Sequence, residues 1–328
     1  MQRSLYGKAQ PMTILVTGAA GFLGNLLVKR LVADGHPVRA LVRNAAKAKI
    51  RLGDVAEQIE IVPGDITRAD SLEPALRDAR VVIHTVAIAL EKGGQTYEAV
   101  NYEGTVNVLR AAEAAGVQRF INISQNGAKA DLPYRFLASK GRAQEAVAAS
   151  TLAWTALRPS AIFGAQDEFF NSFARLLKIT PLVFPLIVGG KAVFQPVAAH
   201  DVVEAATRCL ADDSTVGEEL ALGGPEVLSL GEIERRVLDA TGSLRLLVPV
   251  PARLLRPVVA AMQRLLPGSP VSTSLLELLA VPNTVPDNAL VSRFGITPTP
   301  FAGDHIAYLR DNTLGDTLAK FFGDAIIN

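Results

Sequence analysis

The stretch Thr17-Gly18-Ala19-Ala20-Gly21-Phe22-Leu23-Gly24 decides the fold. An apolar run precedes it, and a segment of helical periodicity follows it as far as Ala33. Gly18 permits a tight turn, Gly21 lets backbone N–H groups approach a pyrophosphate, and Gly24 allows the helix to pack closely on the strand. The helix N-terminus adds the positive end of its dipole. This strand–turn–helix order predicts a dinucleotide site, whereas the glycines alone would predict only a turn.

The first half of the chain alternates apolar strands with helix-length segments. Strands are predicted at Thr13–Thr17, Val38–Val42, Ile59–Val62, Val81–Thr85, Arg119–Ile123 and Trp154–Leu157. The most periodic helices are predicted at Tyr97–Ala115 and Phe136–Ala149. The composition is 49% hydrophobic and 20% charged, which is typical of helices packed on a buried parallel sheet. The predicted fold class is therefore α/β, a doubly wound, Rossmann-type parallel sheet of six strands.

The second half is interrupted by prolines and glycines and predicts a smaller C-terminal α+β cap. Helices are predicted at Glu168–Lys178, Asp201–Ala211, Leu230–Ala240 and Val271–Leu279, and a loop at Pro282–Asn288. We expect an NAD(P)-binding domain over residues 12–160 and a cap over residues 161–328, partly interleaved with the core.

Charge and cysteine content exclude several classes of protein. The chain has 33 basic and 32 acidic residues and a formal net charge of +1, so no global field attracts nucleic acid. Its single cysteine, Cys209, lies in an apolar helical segment and is interpreted as a small buried hydrophobe. We predict neither a nucleic-acid partner nor a disulfide within the chain.

The histidines do not predict a metal site. His36, His84, His200 and His305 lie far apart and lack the spacing of metal ligands. His84 ends an apolar strand and is interpreted as a packed or backbone-bonded imidazole. His200 and Asp201 are interpreted as a helix start, where the aspartate satisfies free N–H groups.

A cytoplasmic location is predicted. Residues 1–11 lack the apolar run of a secretory signal, and no apolar run reaches the ~20 residues that span a bilayer. The segment Arg253–Leu266 places arginines among leucines and valines, as in a helix that lies on a membrane surface or a partner. The alternative is cap core whose arginines extend to solvent.

The second predicted strand indicates which dinucleotide is bound. It ends in Leu41-Val42-Arg43, and no acidic residue lies between Asp34 and Asp54. NAD specificity normally needs a carboxylate there for the ribose 2′-OH, whereas an arginine suits a 2′-phosphate. NADP(H) is therefore favoured and NAD(H) stays open. The alternative for Arg43 is a solvated side chain at a strand end.

The spacing G-x-x-G-x-x-G after Thr17 resembles the extended and atypical short-chain dehydrogenase/reductase superfamily. Further matching motifs are Asp65-Ile66, Thr85-Val86-Ala87, Asn101 with Gly104-Thr105, and Leu157-Arg158-Pro159-Ser160 with Phe163-Gly164. The resemblance implies that the cofactor is bound by Gly18, Ala20, Gly21, Phe22, Leu23, Gly24, Arg43, Asp65, Ile66, Val86, Ala87, Asn101, Lys140, Pro159 and Ile162.

The same resemblance implies a catalytic serine, tyrosine and lysine, with the tyrosine four residues before the lysine. Lys140 matches the lysine, so Phe136 occupies the tyrosine position and has no proton to transfer. Tyr134 lies off the lysine's helix face and would substitute only from a non-helical lead-in. The serine position falls on Ser124 or Gln125. Lys140 still suits the nicotinamide ribose; the alternative is an exposed helix lysine.

One atypical branch is similar over most of the chain. Its matching motifs are Arg158–Gly164, Asp167–Asn171, Phe194–Val197, Gly223–Glu226, Leu246–Leu266 and Gly295–Pro300. This branch contains the nucleotide-binding accessory subunit of respiratory complex I and its bacterial relatives. The resemblance implies a tightly held NADP(H), used structurally or in a quinone-related role, on a peripheral, membrane-facing respiratory assembly. Relatives often keep the tyrosine that Phe136 replaces.

Three functions follow from these residues. The leading hypothesis is an NADP(H)-binding protein with weak or absent turnover and an accessory or assembly role in a redox complex. The rival is an active NAD(P)-dependent reductase or epimerase that acts on a sugar nucleotide or a quinone-pathway intermediate. A regulatory protein that senses the NADP(H) ratio is the third. Whether the chain is an enzyme stays open at this point because of Phe136.

Overall fold

A parallel sheet of seven strands forms the centre of the fold. The computed structural model describes residues 12–180, 182–187, 193–251, 254, 257, 259–261 and 281–322. In chain order the strands are β1 (Thr13–Thr17), β2 (Val38–Val42), β3 (Glu60–Pro63), β4 (Ala79–His84), β5 (Arg119–Ile123), β6 (Ala153–Pro159), β7 (Ile162–Phe163), β8 (Val183–Ile187), β9 (Val193–Phe194), β10 (Val197–Ala198), β11 (Glu218–Leu222), β12 (Leu228–Ser229) and β13 (Leu246–Val250).

Helices cover both faces of this sheet and build the cap. They are α1 (Phe22–Ala33), α2 (Ala45–Leu52), α3 (Glu73–Leu76), α4 (Gly104–Ala114), α5 (Arg135–Ala148), α6 (Phe169–Ile179), α7 (Ala199–Arg208) and α8 (Leu230–Thr241). A π-helix, Glu98–Glu103, leads directly into α4. Shorter or later helices are Gly53–Gln58, Ala69–Ser71, Asp213–Thr215, Ala289–Ser292, Gly303–Asp311 and Leu314–Phe322.

The strand order of the central sheet is β11-β6-β5-β4-β1-β2-β3, and all neighbours are parallel. The chain runs outward from β1 in one direction and then, from β4, in the other. Strand order therefore reverses between β1 and β4, and in such sheets the carboxyl ends beside the reversal open a ligand crevice. The prediction of a doubly wound α/β sheet is confirmed.

Alternating residues of each strand face opposite layers, and both layers are apolar. Ile14 and Val16 of β1 pack in one cluster with residues of α1 and α7, such as Leu27 and Val202. Leu15 faces the other side, in a cluster with residues from α4 and α5. Because both faces are covered, the strands are buried almost continuously, which explains their uninterrupted hydrophobic runs.

The cap has its own aromatic core. Within the described residues, the short strands pair as β7–β10, β9–β12 and β8–β13. Phe163, Phe170 and Phe301 lie in a buried cluster with residues of α6 and α8. The rings of Phe163 and Phe301 pack edge to face, with their centroids 5.2 Å apart. Asp167 ties this cap to the loop after β7, because it accepts hydrogen bonds from Tyr308 Oη at 2.5 Å and Gly164 N at 3.2 Å.

The sheet has one strand more than the six predicted. The additional strand, β11, pairs in parallel with β6 at the edge of the sheet. Its first residues, Glu218 and Glu219, are exposed and only Leu222 is fully buried, so its hydrophobic pattern is weak. Although β11 comes from the second half of the chain, it belongs to the central sheet. The division into residues 12–160 and 161–328 stays a prediction.

Two helix predictions need correction. The predicted helix Tyr97–Ala115 is divided into the π-helix and α4, a change of hydrogen-bonding pattern that hydrophobic periodicity does not reveal. Helix α7 begins at Ala199 without a side-chain cap. Asp201 does not cap it: its carboxylate accepts hydrogen bonds from Thr299 N at 2.8 Å and Thr299 Oγ1 at 3.2 Å, and so joins α7 to a later loop.

Part of the C-terminal prediction cannot be compared with the structure. The predicted helix Val271–Leu279 and the arginines of the Arg253–Leu266 segment lie outside the described residues. The start of the apolar stretch Leu246–Leu266 is the strand β13. None of the helices in the described part of the chain has the length and hydropathy that a membrane crossing requires.

Candidate dinucleotide site

The glycine turn forms a tight cradle between β1 and α1. Gly18 has a φ of +71°, a left-handed conformation that favours glycine, and its carbonyl accepts a hydrogen bond from Gly21 N at 2.8 Å. A Cβ on Gly24 would lie 2.2 Å from Gly18 O, so α1 approaches the turn as closely as a glycine allows. Helix α1 has no side-chain cap and no acidic residue in its first turn. Its first N–H groups are therefore suited to an anionic group such as a pyrophosphate.

The residues that follow β4 pack against this turn. A Cβ on Gly18 would lie 2.8 Å from Thr85 Oγ1 and 3.0 Å from a methyl of Val86. The Thr85 hydroxyl donates to Thr17 O at 2.7 Å, which fixes the separation of the two strand ends. Val86 is half-buried and Ala87 is exposed, so both line the crevice at the reversal of strand order.

The loop after β3 is held by local hydrogen bonds. Asp65 Oδ1 accepts hydrogen bonds from Thr67 N and Thr67 Oγ1, at 3.0 and 2.9 Å. Ile66 is buried, and a Cβ on Gly104 would lie 2.7 Å from its terminal methyl. Asp65 therefore shapes this loop and Ile66 anchors it on α4. Their contact with the cofactor stays a prediction.

Two arginines flank the glycine turn. Arg43 follows β2, is exposed, and makes no hydrogen bond or ion pair with the described residues. Arg51, on α2, donates from Nη1 to Ala20 O at 3.1 Å, and Asn25 Nδ2 donates to Arg51 O at 2.8 Å. Reasoning from the sequence missed Arg51, although the segment 43–51 is basic and free of acidic residues.

The side chain of Lys140, within α5, reaches the backbone at the end of β5, next to Ser124. Lys140 is buried and its Nζ donates to Ile123 O, one peptide from Ser124, at 3.0 Å. Burial lowers the pKa of Lys140 to about 8. Ser124 is 5% exposed, and its Oγ has no hydrogen-bond partner among the described residues. A buried hydroxyl without a partner is costly, and a bound ligand that hydrogen-bonds to it would remove that cost.

Neither Tyr134 nor Phe136 forms a helical tyrosine–lysine pair with Lys140. Helix α5 begins at Arg135, and Tyr134 precedes it in an extended conformation with φ −97° and ψ 107°. Tyr134 therefore lies on a non-helical lead-in to α5. Such a lead-in is the condition under which Tyr134 could replace the missing tyrosine. Phe136 is buried in an apolar cluster with Tyr97, Leu137 and other side chains.

Asn101 holds the loop that follows β4. It lies in the π-helix, where Oδ1 accepts from Ile88 N at 2.8 Å and Nδ2 donates to Ile88 O and to Ser139 Oγ, both at 3.2 Å. Because these hydrogen bonds use the amide within the protein, Asn101 fixes the loop at Ile88, and its predicted contact with the cofactor stays a prediction.

His84 is buried and neutral and forms a hydrogen bond on each side of its ring, which confirms the prediction of a packed imidazole. Its Nδ1 lies 2.8 Å from Thr17 Oγ1 and its Nε2 lies 3.1 Å from Thr105 Oγ1. The Thr105 hydroxyl donates to Asn101 O, so we assign the proton to His84 Nε2. Burial, with a smaller effect of the Lys140 charge, lowers the pKa of His84 to about 3.

Cys209 is also buried, as predicted, and desolvation raises the pKa of its thiol to about 11. Among the described residues, no group of three or more histidines, cysteines or carboxylates is close enough to hold a metal ion.

The Pro282–Asn288 loop is hydrogen-bonded to the segments that follow β5 and β6. Asn283 is fixed there, because its Oδ1 accepts from Asn126 Nδ2 at 2.9 Å and its carbonyl accepts from Ser160 Oγ at 2.8 Å. Pro159 accepts from Asn126 N, and Ile162 starts the next strand. Asn283 was not predicted from the sequence, since a loop asparagine carries no distinctive pattern.

A groove of about 340 Å³ lies on the other side of α5 from Lys140. It is lined by Tyr97, Glu98, Ala130, Leu132, Pro133, Arg135, Ala138 and Arg142. None of the residues predicted to bind the cofactor lines it. We therefore place the candidate site at the glycine turn, where the cradle and the partnerless Ser124 hydroxyl are found.

Known proteins resemble the chain in both sequence and fold. The NAD(P)H-binding family model matches residues 18–169. An Arabidopsis thaliana protein, NADH dehydrogenase [ubiquinone] 1 alpha subcomplex subunit 9, is 32% identical over 68% of this chain, and the match spans only 56% of that protein's length. A Mycobacterium tuberculosis 3 beta-hydroxysteroid dehydrogenase/Delta 5-->4-isomerase is 31% identical over 84% of this chain and 82% of its own.

A solved structure shows the same fold. The dTDP-glucose 4,6-dehydratase DesIV from Streptomyces venezuelae, crystallised with NAD, aligns with a TM-score of 0.70 at 21% identity, over 92% of this chain and 98% of its own. Together with the glycine turn and its cradle, the match to the NAD(P)H-binding family model supports nicotinamide dinucleotide binding by this chain. The protein belongs to the atypical short-chain dehydrogenase/reductase superfamily, in a branch similar to the nucleotide-binding accessory subunit of respiratory complex I.

Proposed function

We propose that this protein holds NADP(H) with weak or absent turnover and serves as an accessory or assembly factor of a membrane-associated redox complex. The observation that carries the proposal is the combination of an intact nucleotide cradle with Phe136 at the position that the family resemblance assigns to the tyrosine. The nucleotide is then bound for its structural effect, and the protein is cytoplasmic and peripheral at the membrane.

The preference for NADP(H) is supported by the charges around the adenosine end of the cradle. Within the part of the chain that the structure describes, Arg43 has no counter-charge, and Arg51 reaches the carbonyl of Ala20 within the turn. Residues 35–53 contain no carboxylate to accept hydrogen bonds from a ribose 2′-OH. Two guanidinium groups near that position favour a 2′-phosphate, because they pair with it through charge-assisted hydrogen bonds.

Weak turnover is supported by the side chains around Lys140. Phe136 has no exchangeable proton, and its ring is buried. When bound, the nucleotide supplies hydride chemistry, but the protein has to move a proton to or from the substrate. Lys140 Nζ donates a hydrogen bond to Ile123 O. From there it can position a ribose hydroxyl, but it does not replace the proton donor that Phe136 lacks.

The accessory role is supported by the relatives. Several of them, from Arabidopsis thaliana and Mus musculus, are subunits of NADH dehydrogenase, and the mouse protein is 29% identical over 90% of this chain. A second candidate function, an active reductase or epimerase, is favoured by the extended lead-in that carries Tyr134 and by the partnerless hydroxyl of Ser124. In that case Tyr134 would supply the proton that Phe136 lacks.

Release of the bound nucleotide tests the proposal. The purified full chain is denatured and the released molecule is identified by mass; we expect NADP(H), and NAD alone would overturn the assignment drawn from Arg43 and Arg51. Native protein loaded with NADPH is then followed for oxidation with a panel of quinones, sugar nucleotides and carbonyl compounds. Turnover within the ordinary enzyme range of roughly 1–1,000 per second would favour the second candidate.

The accessory role needs a separate measurement. An affinity-tagged chain is expressed in its host at its native level, and membranes are solubilised in a mild detergent and separated on a native gel. We expect the chain to migrate with a respiratory complex. Migration only as the free protein would overturn the accessory role without affecting the nucleotide assignment.

A further inference from the structure

The loop that follows β7 joins the cap to the nucleotide cradle at Gly164. A Cβ on Gly164 would lie 3.1 Å from the ring of Phe22 and 3.4 Å from the side chain of Ala199. Phe22 is the first residue of α1, and Ala199 is the first residue of α7. The backbone of Gly164 therefore packs directly on the start of the helix that forms the cradle.

The amide of Gly164 is held by two side chains of the cap. Gly164 N donates to Asp167 Oδ2 at 3.2 Å and to Tyr308 Oη at 3.1 Å. The Tyr308 hydroxyl in turn donates to Asp167 Oδ2 at 2.5 Å, so the three groups form a closed ring of hydrogen bonds. We name this ring the latch and define it by Gly164, Asp167 and Tyr308. Because Asp167 and Tyr308 lie 141 positions apart in the chain, the latch is a tertiary contact and not a local turn.

Asp167 is 4% exposed, and its second carboxylate oxygen is also used. Asp167 Oδ1 accepts hydrogen bonds from Phe170 N at 2.7 Å and Asn171 N at 3.1 Å, which satisfies two free N–H groups at the start of α6. The carboxylate thus joins three elements: the loop after β7, α6 and the later helix Gly303–Asp311. Rearranging such a group is unfavourable, because each lost partner leaves a buried polar atom unsatisfied.

The latch lies between two parts of the candidate dinucleotide site. On one side, Gly164 packs on Phe22 at the N-terminus of α1, where backbone N–H groups are suited to a pyrophosphate. On the other side, Gly164 follows β6 and β7, which carry Pro159 and Ile162, two residues predicted to contact the cofactor. A shift of Gly164 would therefore disturb both the start of the cradle and the segment that leads from β6 into the cap.

We propose that Asp167 and Tyr308 are positioning residues for the dinucleotide. Through Gly164 they hold the start of α1 and the loop after β7 in the arrangement that binds it, although neither side chain is predicted to touch the cofactor. The proposal rests on dinucleotide binding, but neither on the preference for NADP(H) nor on the accessory role. Because coupling is reciprocal, loss of the latch should lower the affinity for the dinucleotide, and the dinucleotide should stabilise the latch.

The variant Tyr308→Phe removes only the hydroxyl of the latch. Titration calorimetry with NADPH and with NADH measures the affinity of the full chain for each dinucleotide. Burial raises the pKa of Asp167 to about 6, so at about pH 8 its carboxylate is an acceptor only. For the dinucleotide that the parent binds more tightly, we expect Y308F to lose at least about fivefold in affinity, at the lower end of typical coupling between sites.

The matched control is Arg236→Gln, which removes hydrogen bonds of the cap that do not involve the latch. Arg236 Nη1 donates to Glu226 Oε2 at 2.6 Å and to Phe301 O at 3.1 Å. Melting curves should show that both variants are folded, and R236Q should keep the affinity of the parent. A latch with a purely structural role would lower the melting temperature of Y308F without changing its affinity, and that result would overturn the proposal.

A double-mutant cycle tests whether Tyr308 acts through Asp167. The variant Asp167→Asn keeps an oxygen for the N–H groups of α6 but presents to Tyr308 an amide NH2 group, which cannot accept a hydrogen bond. We expect D167N to lose at least about fivefold in affinity, and D167N/Y308F to lose no more than about twofold beyond D167N. Additive losses would mean that the two side chains act separately, which contradicts the latch.

Hydrogen exchange measures the reverse effect, from the dinucleotide to the latch. The amides of Phe170 and Asn171 donate to Asp167, and neither residue is predicted to contact the cofactor. Adding the dinucleotide should slow exchange at these amides in the parent and in R236Q, but not in Y308F. Unchanged exchange in the saturated parent would overturn the proposal. If the parent binds neither dinucleotide, the proposed function fails as well, whereas equal binding by the parent and Y308F rejects the latch alone.

Discussion

The ring of Phe136 packs against the ring of Tyr97 with their centroids 5.6 Å apart and their planes inclined by 69°. Edge-to-face contacts of this kind stabilise buried aromatic pairs. The Tyr97 hydroxyl is turned away to donate to Ala89 O at 2.9 Å. Residue 136 is therefore used for packing, at a position where the family resemblance implies a tyrosine that transfers a proton.

The variant Phe136→Tyr should restore a proton donor four residues before Lys140. We expect a gain in oxidation of bound NADPH with at least one compound of a quinone and carbonyl panel, where the parent shows none. The new hydroxyl enters a site that is 8% exposed, so we also expect a stability loss of about 1–3 kcal/mol unless a ligand accepts its hydrogen bond.

Phe136→Leu is the matched control, because it also disturbs the aromatic pair but adds no proton. It should leave turnover at the parent level. If F136Y is folded, holds the nucleotide and still shows no activity, the missing phenol is not the only defect, and the substrate pocket itself is not functional.

Patterns of local sequence were enough to predict the centre of the fold. The strands from Thr13 to Pro159 appear where apolar runs predicted them, since both faces of the sheet are covered. The edge strand Glu218–Leu222 was missed because its early residues are solvated glutamates. The π-helix around Asn101 was missed because it depends on how backbone hydrogen bonds are closed, a property that side-chain periodicity does not encode.

The site was predictable to the extent that it depends on backbone shape. The glycines between a strand and a helix predicted close packing of the turn and the helix, and the structure shows it at Gly24. Arg51 and Asn283 were not found, because each reaches the crevice through a contact that is distant along the chain. Long-range contacts of exposed polar residues leave no periodic signal in a single sequence.

Gly24→Ala should weaken nucleotide binding. The new Cβ would lie 2.2 Å from Gly18 O, so either α1 or the turn has to shift. Overpacking of this kind typically costs about 1–3 kcal/mol in stability, and the N–H groups would leave their positions for the pyrophosphate. We expect at least a tenfold loss of NADP(H) affinity by calorimetry, on the order of 1.4 kcal/mol.

Gly231→Ala is the control for this variant. Gly231 is also helical, and a Cβ there would make ordinary contacts of 3.6 Å with the methyl groups of Leu186. Its nucleotide affinity should equal that of the parent. Unchanged affinity in G24A would show that the turn does not hold the pyrophosphate.

Arg51→Gln should weaken NADPH binding but leave NADH binding unchanged. A hydrogen bond to a charged group contributes roughly 1.5–3 kcal/mol, so we expect a loss of at least about tenfold for NADPH alone. Arg110→Gln removes an exposed arginine from α4 and should change neither affinity. Equal losses for both nucleotides in R51Q would mean that Arg51 only stabilises the turn through Ala20 O.

Glu234 should make the stability of the protein decrease as the pH rises. It lies on α8 and is 1% exposed, and neither carboxylate oxygen has a hydrogen-bond partner in the described parts of the chain. Burial raises the pKa of its carboxyl to about 8. In the unfolded chain the pKa of a glutamate is about 4.3, so between roughly pH 4.5 and 8 the folded state binds more protons than the unfolded state. Stability therefore falls across this window.

The variant Glu234→Gln keeps the shape of the protonated side chain and removes its titration. At pH 5 its free energy of unfolding should be close to that of the parent, and at pH 8 it should be higher by on the order of 3 kcal/mol, because one pKa unit corresponds to about 1.4 kcal/mol. Denaturant unfolding of both proteins from pH 5 to 8 measures the difference. Glu218→Gln, at an exposed position of β11, controls for the loss of one negative charge. Parallel curves for the parent and E234Q would show that Glu234 is ionised in the folded protein and has found a counter-charge.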